Sequence, residues 1–171
     1  MNQLLICAMP IPRLNTTALT GRSSELHVAA ELTFLGIPVF TTENPFTRAD
    51  LLVEVADEVK RLQVKTMMWR KDRNYFFARP ETRGKKKYGD TIDFFVFFCR
   101  EENTYFIVPF DVATQVSEVT WTPERLRYYD GGAHRKVDLE EFRGAWHLLL
   151  PDKISDWRKE RLDRCNGQYA P

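Results

Sequence analysis

The stretch ADLLVEVADEVKRLQVKTM, residues 49–67, decides the fold class that this sequence predicts. Two arms rich in β-branched and other apolar residues, 49–55 and 59–67, enclose a short turn at 56–58. Strand-forming runs separated by so few turn residues are typical of a β-hairpin. The chain therefore contains an antiparallel pair of strands, around which the other elements must be arranged.

Polar side chains occupy unusual positions in this hairpin. Asp50 opens the first arm, although aspartate is depleted in strands. In the second arm, alternation places Gln63 and Lys65 on one face, with Val64 between them facing the core. Taken singly, Asp50 could be a turn residue, and the other two could lie on an exposed sheet face. Because the hairpin brings Asp50 across from Gln63 and Lys65, their combination indicates a site.

A helix is predicted before the hairpin, over residues 23–35. Its apolar side chains recur at helical spacing, serines provide an N-terminal cap, and Gly36 ends it. Glu25 falls on the apolar face of this helix, where a buried carboxylate is costly unless it has a partner. Alternatively, Glu25 is a first-turn residue that leans to solvent and is stabilised by the helix dipole. In the first interpretation the helix lays Glu25 over Asp50 and Lys65.

The order of the remaining elements predicts one α/β or α+β domain, in which helices flank a mixed sheet. We expect a single domain over 1–171, with a core at about 21–110 and a C-terminal helical tail at about 111–171. The further predicted elements are strands at 37–42, 73–78, 92–99 and 105–109, a basic loop at 84–89, and helices at 138–149 and 155–164.

The oxygen donors grouped in this way suit a hard divalent cation. Asp50 can supply a carboxylate, while the Val64 backbone carbonyl and the Gln63 side chain can supply neutral oxygens. Glu25 can hold a water bound to the metal. Lys65 is a positive charge that can orient the attacking water and stabilise the charge that develops on a phosphate. These roles predict metal-assisted hydrolysis of a phosphodiester.

The charge of the chain is unevenly distributed. The net charge is only +1, but residues 60–87 contain eleven Lys and Arg against two Asp and Glu. Such a basic field attracts polyanions, and a nucleic acid is the predicted partner. A solvated charged surface is the alternative. The residues predicted to contact this nucleic acid are Arg22 and Arg48, which precede the basic segment, and within it Arg70, Lys71, Arg73, Arg79, Lys85, Lys86 and Lys87.

Five stretches together resemble the PD-(D/E)XK nuclease superfamily, and most closely its group I intron-associated homing endonuclease branch of cyanobacterial type. The resemblance implies a restriction-endonuclease-like core of order α-β-β-β-α-β, dependence on Mg²⁺ with Mn²⁺ able to substitute, and cleavage of double-stranded DNA. The stretches are SELHVAAEL at 24–32, ADLLV at 49–53, LQVKT at 62–66, YGDTIDFFV at 88–96 and YFIVP at 105–109.

By position in these motifs, the resemblance implies that Asp50 is the acidic metal ligand, Lys65 the motif lysine and Glu25 the helix carboxylate. Two positions depart from the superfamily pattern. Ala49 replaces the usual Pro, and Gln63 replaces the usual Glu or Asp, although the homing branch carries the same Gln. A neutral side chain at this position predicts weaker binding of the metal.

Three functions are consistent with the sequence. The first is a sequence-specific homing endonuclease. The second is a structure-specific nuclease such as a Holliday-junction resolvase, although archaeal resolvases carry Glu where this chain has Gln63. The third is a non-catalytic DNA-binding module on the nuclease fold, because the same Gln63 could mark a decayed enzyme. The sequence assigns no role to Asp93.

Cleavage of both DNA strands with one site per chain requires at least two subunits. We therefore expect a homo-oligomer, either a dimer or the tetramer that the resemblance implies. The tail tryptophans Trp121, Trp146 and Trp157 could form its interface or could pack in the core. Three widely spaced cysteines, no membrane-spanning segment and no signal peptide predict a cytoplasmic protein. The resemblance implies that it is encoded by a bacterium or a phage.

Overall fold

The computed structural model of the protein describes residues 16–42, 48–72, 74–80, 91–123 and 137–150. Its helices are α1 (Thr16–Phe34) and α2 (Phe110–Ala113), and 3₁₀ turns occur at Arg100–Glu102, Leu139–Phe142 and Trp146–Leu149. Its strands are β1 (Val39–Thr41), β2 (Leu51–Val55), β3 (Glu58–Thr66), β4 (Met68–Arg70), β5 (Tyr75–Ala78), β6 (Phe94–Cys99), β7 (Thr104–Pro109) and β8 (Val119–Trp121).

The strands form two sheets. The larger sheet has the order β1-β2-β3-β6-β7, and the smaller has the order β4-β5-β8. β3 and β6 pair in parallel, whereas the other described pairings between strands are antiparallel. This mixed sheet with flanking helices confirms the predicted α+β class. It also places the predicted hairpin, β2 with β3, at the centre of the fold.

Each face of the larger sheet carries its own apolar core. One face packs against α1, whose buried residues there include Val28 and Leu32. The opposite face packs against the smaller sheet through aromatic residues such as Phe95 and Phe97. In the parallel register, Gln63 lies beside Phe95 and Lys65 beside Phe97. Because strand side chains alternate, these two polar residues belong to the face opposite α1.

The helix begins earlier than its sequence pattern predicts, at Thr16 rather than near residue 23. Its end agrees with the prediction. Gly36 has a φ of +77°, the Gly36 N–H donates to the Thr33 carbonyl at 2.9 Å, and the Ile37 N–H donates to the Leu32 carbonyl at 2.9 Å. These two bonds form a Schellman motif, in which glycine adopts the left-handed conformation without strain.

The hairpin has a tighter turn than predicted, because Val55 pairs directly with Glu58. Two residues, Ala56 and Asp57, make the turn with φ values of +50° and +65°. Two-residue hairpin turns favour Asn-Gly at these positions, because both residues must adopt positive φ. The Ala-Asp pair is therefore a locally strained connection.

This turn can be relaxed by substitution. We expect the double variant Ala56→Asn, Asp57→Gly to raise the free energy of unfolding by about 1 kcal/mol, because Asn and Gly tolerate positive φ better than the native pair. Urea denaturation measures the change. The control Asp57→Pro should lower stability, since proline cannot adopt positive φ. A double variant less stable than the parent would contradict the turn geometry.

The region after β7 differs from the predicted helical tail. The helix expected over 138–149 is wrong in type, because residues 139–142 and 146–149 form two short 3₁₀ turns. Two short strands, β4 and β8, were not predicted, because each has three residues and too little pattern to be recognised. The helix predicted at 155–164 lies outside the described residues.

Two of the three tail tryptophans lie within the described residues. Trp121 and Trp146 are 3% and 2% exposed and pack in the core, one in each apolar cluster. An interface built on these two side chains is therefore excluded, whereas Trp157 lies outside the described residues. Within the described ranges, no helix combines the length and the apolar character that a membrane crossing requires.

Candidate active site

Asp50 directly precedes β2, and its carboxylate accepts a hydrogen bond from β3 that would otherwise go to a backbone carbonyl of β2. The Asp50 N–H donates to the Leu62 carbonyl at 2.8 Å, after which β2 offers no further partner. The Val64 N–H, two residues beyond, donates instead to Asp50 Oδ2 at 2.8 Å. A buried N–H without a partner is costly, so the aspartate side chain replaces the missing strand residue. This role accounts for a hydrogen-bond acceptor at this position.

The amide of Gln63 contacts the same oxygen. Its Nε2 donates to Asp50 Oδ2, and Gln63 is 8% exposed. Both contacts of the carboxylate therefore use Oδ2, and neither involves Oδ1. In a strand, the N–H and C=O of one residue leave on the same side, so the Val64 carbonyl also faces the side of Asp50.

The Asp50 carboxyl is poorly solvated. Burial raises its pKa to about 6, against the lowering effect of the hydrogen bond from the Val64 N–H. The negative charge of Glu25 raises the pKa further, while the positive charges of Lys65 and Arg22 lower it. The four charged side chains are thus close enough to interact. A cation beside Asp50 would offset the cost of its burial.

The structure brings Glu25 to this cluster from the other side of the sheet. Glu25 lies in the middle of α1, which excludes the first-turn interpretation of its charge. Arg22 Nη1 donates to Glu25 Oε2 at 2.9 Å. The hydroxyls of Ser24 and Thr66 are 2.7 Å apart and join α1 to the end of β3. The helix carboxylate is therefore held in a defined position relative to Lys65.

The donor set fits a hard divalent cation. The Asp50 carboxylate and the Val64 carbonyl lie on the same side of β3, and Glu25 is a second carboxylate close enough to interact with Asp50 electrostatically. Among the described residues no three His, Cys, Asp or Glu side chains converge, so a metal here would also depend on neutral oxygens. Gln63 could contribute its Oε1 only by turning its amide, because its nitrogen faces Asp50. Oxygen ligands of this kind suit Mg²⁺ or Mn²⁺.

The predicted DNA-binding residues fall into three groups. Arg22 forms an ion pair with Glu25 of the cluster. Arg48 lies two residues before Asp50 in the chain. Arg70 and Arg79 both form ion pairs with Glu118, while Lys71 is exposed at the turn after β4. The remaining four, which lie outside the described residues, are Arg73, Lys85, Lys86 and Lys87.

Asp93 has a role that the sequence did not reveal. Its two oxygens accept from Arg61 Nε and Nη2 at 3.0 and 2.9 Å, and its Oδ2 also accepts from the Arg61 N–H at 2.7 Å. The side-chain hydrogen bonds from Arg61 lower the pKa of Asp93. The Asp93 side chain thus accepts a backbone N–H of β3 next to the β3–β6 pairing, just as Asp50 accepts one next to the β2–β3 pairing. The available signal was an aspartate directly before an apolar run, as at Asp50.

This arrangement has counterparts among known proteins. A sequence model described as PD-(D/E)XK endonuclease matches residues 15–128, which contain all four candidate catalytic residues. The chain belongs to the PD-(D/E)XK endonuclease family. The resemblance stated from the sequence is thereby confirmed, and the chain is a member of a nuclease family.

A solved structure shares the fold. The bacterial homing endonuclease I-Ssp6803I matches with a TM-score of 0.62 and 22% sequence identity, covering 78% of this chain and 90% of that chain. At this level of sequence identity, the similarity is evidence for a shared fold alone. No curated protein matches the sequence. The PD-(D/E)XK member described here therefore shares its architecture with a homing endonuclease, and its substrate must be argued from its own residues.

Proposed function

We propose that this PD-(D/E)XK protein is an Mg²⁺-dependent endonuclease that hydrolyses phosphodiester bonds of double-stranded DNA at a specific sequence, as a homing endonuclease does. The observation that carries the proposal is the convergence on Asp50 of the Val64 backbone, Gln63, Lys65 and Glu25. A buried carboxylate with neighbouring neutral oxygens and one lysine suits metal-assisted phosphoryl chemistry. Mn²⁺ would substitute for Mg²⁺ because it accepts the same ligands.

Each residue of the cluster has a chemical task. Asp50 and the Val64 carbonyl would hold the divalent cation, which supplies Lewis-acid activation of the phosphate and of an attacking water. Glu25, fixed by Arg22, accepts a hydrogen bond from that water and orients it. Lys65 donates to an oxygen of the scissile phosphate and stabilises the negative charge that grows there. Gln63 fixes the rotamer of Asp50 through its hydrogen bond.

The partner and the assembly follow from the same proposal. The substrate is a duplex polyanion, to which the basic segment of residues 60–87 supplies positive charge. Cleavage of both strands requires two copies of the site, so the proposal includes a homo-oligomer, a dimer or a tetramer. Such an enzyme acts where DNA is found in a bacterial cell, the cytoplasm.

One experiment separates the three functions considered. The full chain is incubated with plasmid DNA, a mixed-sequence linear duplex and a four-way junction, each in Mg²⁺, Mn²⁺ or EDTA. Cleavage of duplex at discrete positions, abolished by EDTA, is the expected result. Preferential cleavage of the junction would instead support a resolvase. DNA binding without cleavage in either metal would support a binding module.

The neutral residue at position 63 provides a test of the metal site. We expect Gln63→Glu to retain some cleavage and to bind Mn²⁺ more tightly, by roughly a factor of ten, because a carboxylate adds negative charge beside Asp50. Isothermal titration calorimetry measures the affinity. The matched control is Gln115→Glu at an exposed position, which should leave the affinity unchanged. Unchanged or weaker binding by Gln63→Glu would mean that this side chain does not face the cation.

A further inference from the structure

Three side chains of the smaller sheet surround one carboxylate, that of Glu118, directly before β8. Arg70 approaches it with both terminal nitrogens, Nη1 to Oε1 and Nη2 to Oε2, each at 3.2 Å. Arg79 Nε donates to Oε2 at 3.3 Å. The Tyr75 hydroxyl donates to Oε1 at 3.4 Å. Glu118 thus occupies an anion-binding arrangement formed by two arginines and a tyrosine.

The guanidinium of Arg70 is held in a fixed orientation. Its Nη1 also donates to the Tyr75 hydroxyl at 2.8 Å, and its Cζ lies over the Phe77 ring, 4.1 Å from the ring centre. Asp72, in the turn after β4, adds a further electrostatic interaction. A guanidinium fork held in this way matches phosphate as well as carboxylate, because both anions accept two parallel N–H bonds.

The contribution of this cluster to folding is small. The side chains of Arg70, Glu118 and Arg79 are 23%, 20% and 48% exposed. Ion pairs that contact solvent typically contribute little to stability. The burial of Phe76 and Trp121 already holds this sheet together. Folding alone does not explain why two arginines of the basic segment are neutralised by one glutamate.

The cluster lies close to the candidate active site along the chain. β4 follows β3 after one residue, and Arg70 comes five residues after Lys65. Five extended residues span at most about 18 Å, which is the length of roughly five base pairs of duplex DNA. The separation of Arg70 from Lys65 is therefore no greater than the length of duplex that one bound DNA molecule presents.

We infer that Glu118 occupies a DNA phosphate site and that a backbone phosphate of the substrate replaces it on Arg70 and Arg79 in the complex. The inference rests on the proposed function, since it requires DNA as the partner. Glu118 competes with DNA for the two arginines, and it thereby weakens binding to DNA of any sequence. Contacts to the correct sequence then contribute a larger share of the total affinity.

The test is the variant Glu118→Gln, which keeps the side-chain shape and removes the competing charge. Binding to a labelled duplex of random sequence is measured in EDTA, which prevents cleavage, over a series of salt concentrations. We expect affinity to rise roughly threefold to tenfold, and the slope of log affinity against log salt to steepen by about 1. The same increase should occur on other duplexes, because phosphate contacts carry no sequence information.

A matched control separates this local effect from the change in net charge. Glu58 forms an ion pair with Lys60 at the hairpin, and Glu58→Gln alters the total charge by the same amount. It should change affinity far less than Glu118→Gln. Equal effects of the two variants, or unchanged or weaker binding by Glu118→Gln, would overturn the inference. A parent protein that binds no duplex at all would instead refute the proposed function.

A second variant keeps the inference testable if Glu118→Gln folds poorly. Arg79 is half exposed, so Arg79→Gln should leave thermal stability unchanged. It removes one side of the phosphate site, and it should weaken binding to random duplex and flatten the salt slope by about 1. An Arg79→Gln protein with the affinity and salt slope of the parent would overturn the inference.

Discussion

Asp50→Asn is expected to lower the rate of DNA cleavage in Mg²⁺ by at least roughly a hundredfold, while the affinity for duplex DNA in EDTA stays within a factor of about two. Asparagine keeps an oxygen that accepts from the Val64 N–H, so the local structure is retained. It removes the negative charge on which the proposed metal site depends. Single-turnover cleavage of plasmid measures the rate.

The control for this variant is Asp57→Asn in the turn of the same hairpin. Asp57 is exposed and already has a positive φ, which asparagine tolerates. It changes the net charge by the same amount as Asp50→Asn, and it should cut DNA at the rate of the parent. Cleavage by Asp50→Asn at more than a few per cent of the parent rate would contradict the site assignment.

The same substitution is expected to stabilise the metal-free protein at neutral pH. Burial raises the pKa of Asp50 to about 6 in the folded state, whereas an unfolded aspartate ionises near 3.9. Between these values the folded state binds more protons than the unfolded state, so stability falls as the pH rises from about 4 to about 6. Above pH 6 the cost is complete and amounts to about 2 to 3 kcal/mol.

Urea denaturation of parent and Asp50→Asn in EDTA tests this linkage. The variant should be more stable by about 2 to 3 kcal/mol above pH 7, and the difference should vanish near pH 3, where the parent carboxyl is protonated in both states. Added Mg²⁺ should stabilise the parent and leave the variant unchanged, because a ligand stabilises only the state that binds it. A variant less stable than the parent at pH 7 would mean that Asp50 is structurally satisfied without a cation.

The two expectations together describe a residue whose ionised side chain lowers the stability of the metal-free protein and is expected to bind the cation. A carboxylate that is desolvated and placed beside Glu25 is unfavourable until a cation arrives. Gln63 and the Val64 N–H reduce this cost without removing it, because both use the same oxygen of Asp50. Gain of stability with loss of activity is the expected signature of such a residue.

Much of this site could be predicted from local sequence. Alternation along residues 59–67 put Gln63 and Lys65 on one face, and pairing within a short hairpin put Asp50 opposite them; both features depend on neighbours close in the chain. The position of Glu25 was ambiguous, because the start of α1 is poorly marked. Because α1 begins at Thr16 rather than residue 23, Glu25 lies in the middle of the helix and not in its first turn, where the helix dipole would stabilise it.

The sequence by itself determined the α+β class, the central hairpin and the residues that carry the proposed chemistry, because period-two and helical patterns report directly on which side chains are buried. Only the tertiary structure decided the parallel pairing of β3 with β6, the ion pair between Asp93 and Arg61, and the ion pair between Glu118 and Arg70. These contacts join residues 32 and 48 positions apart. No local pattern encodes such pairs, because the two partners are far apart in the chain and only the packing of the sheets brings them together.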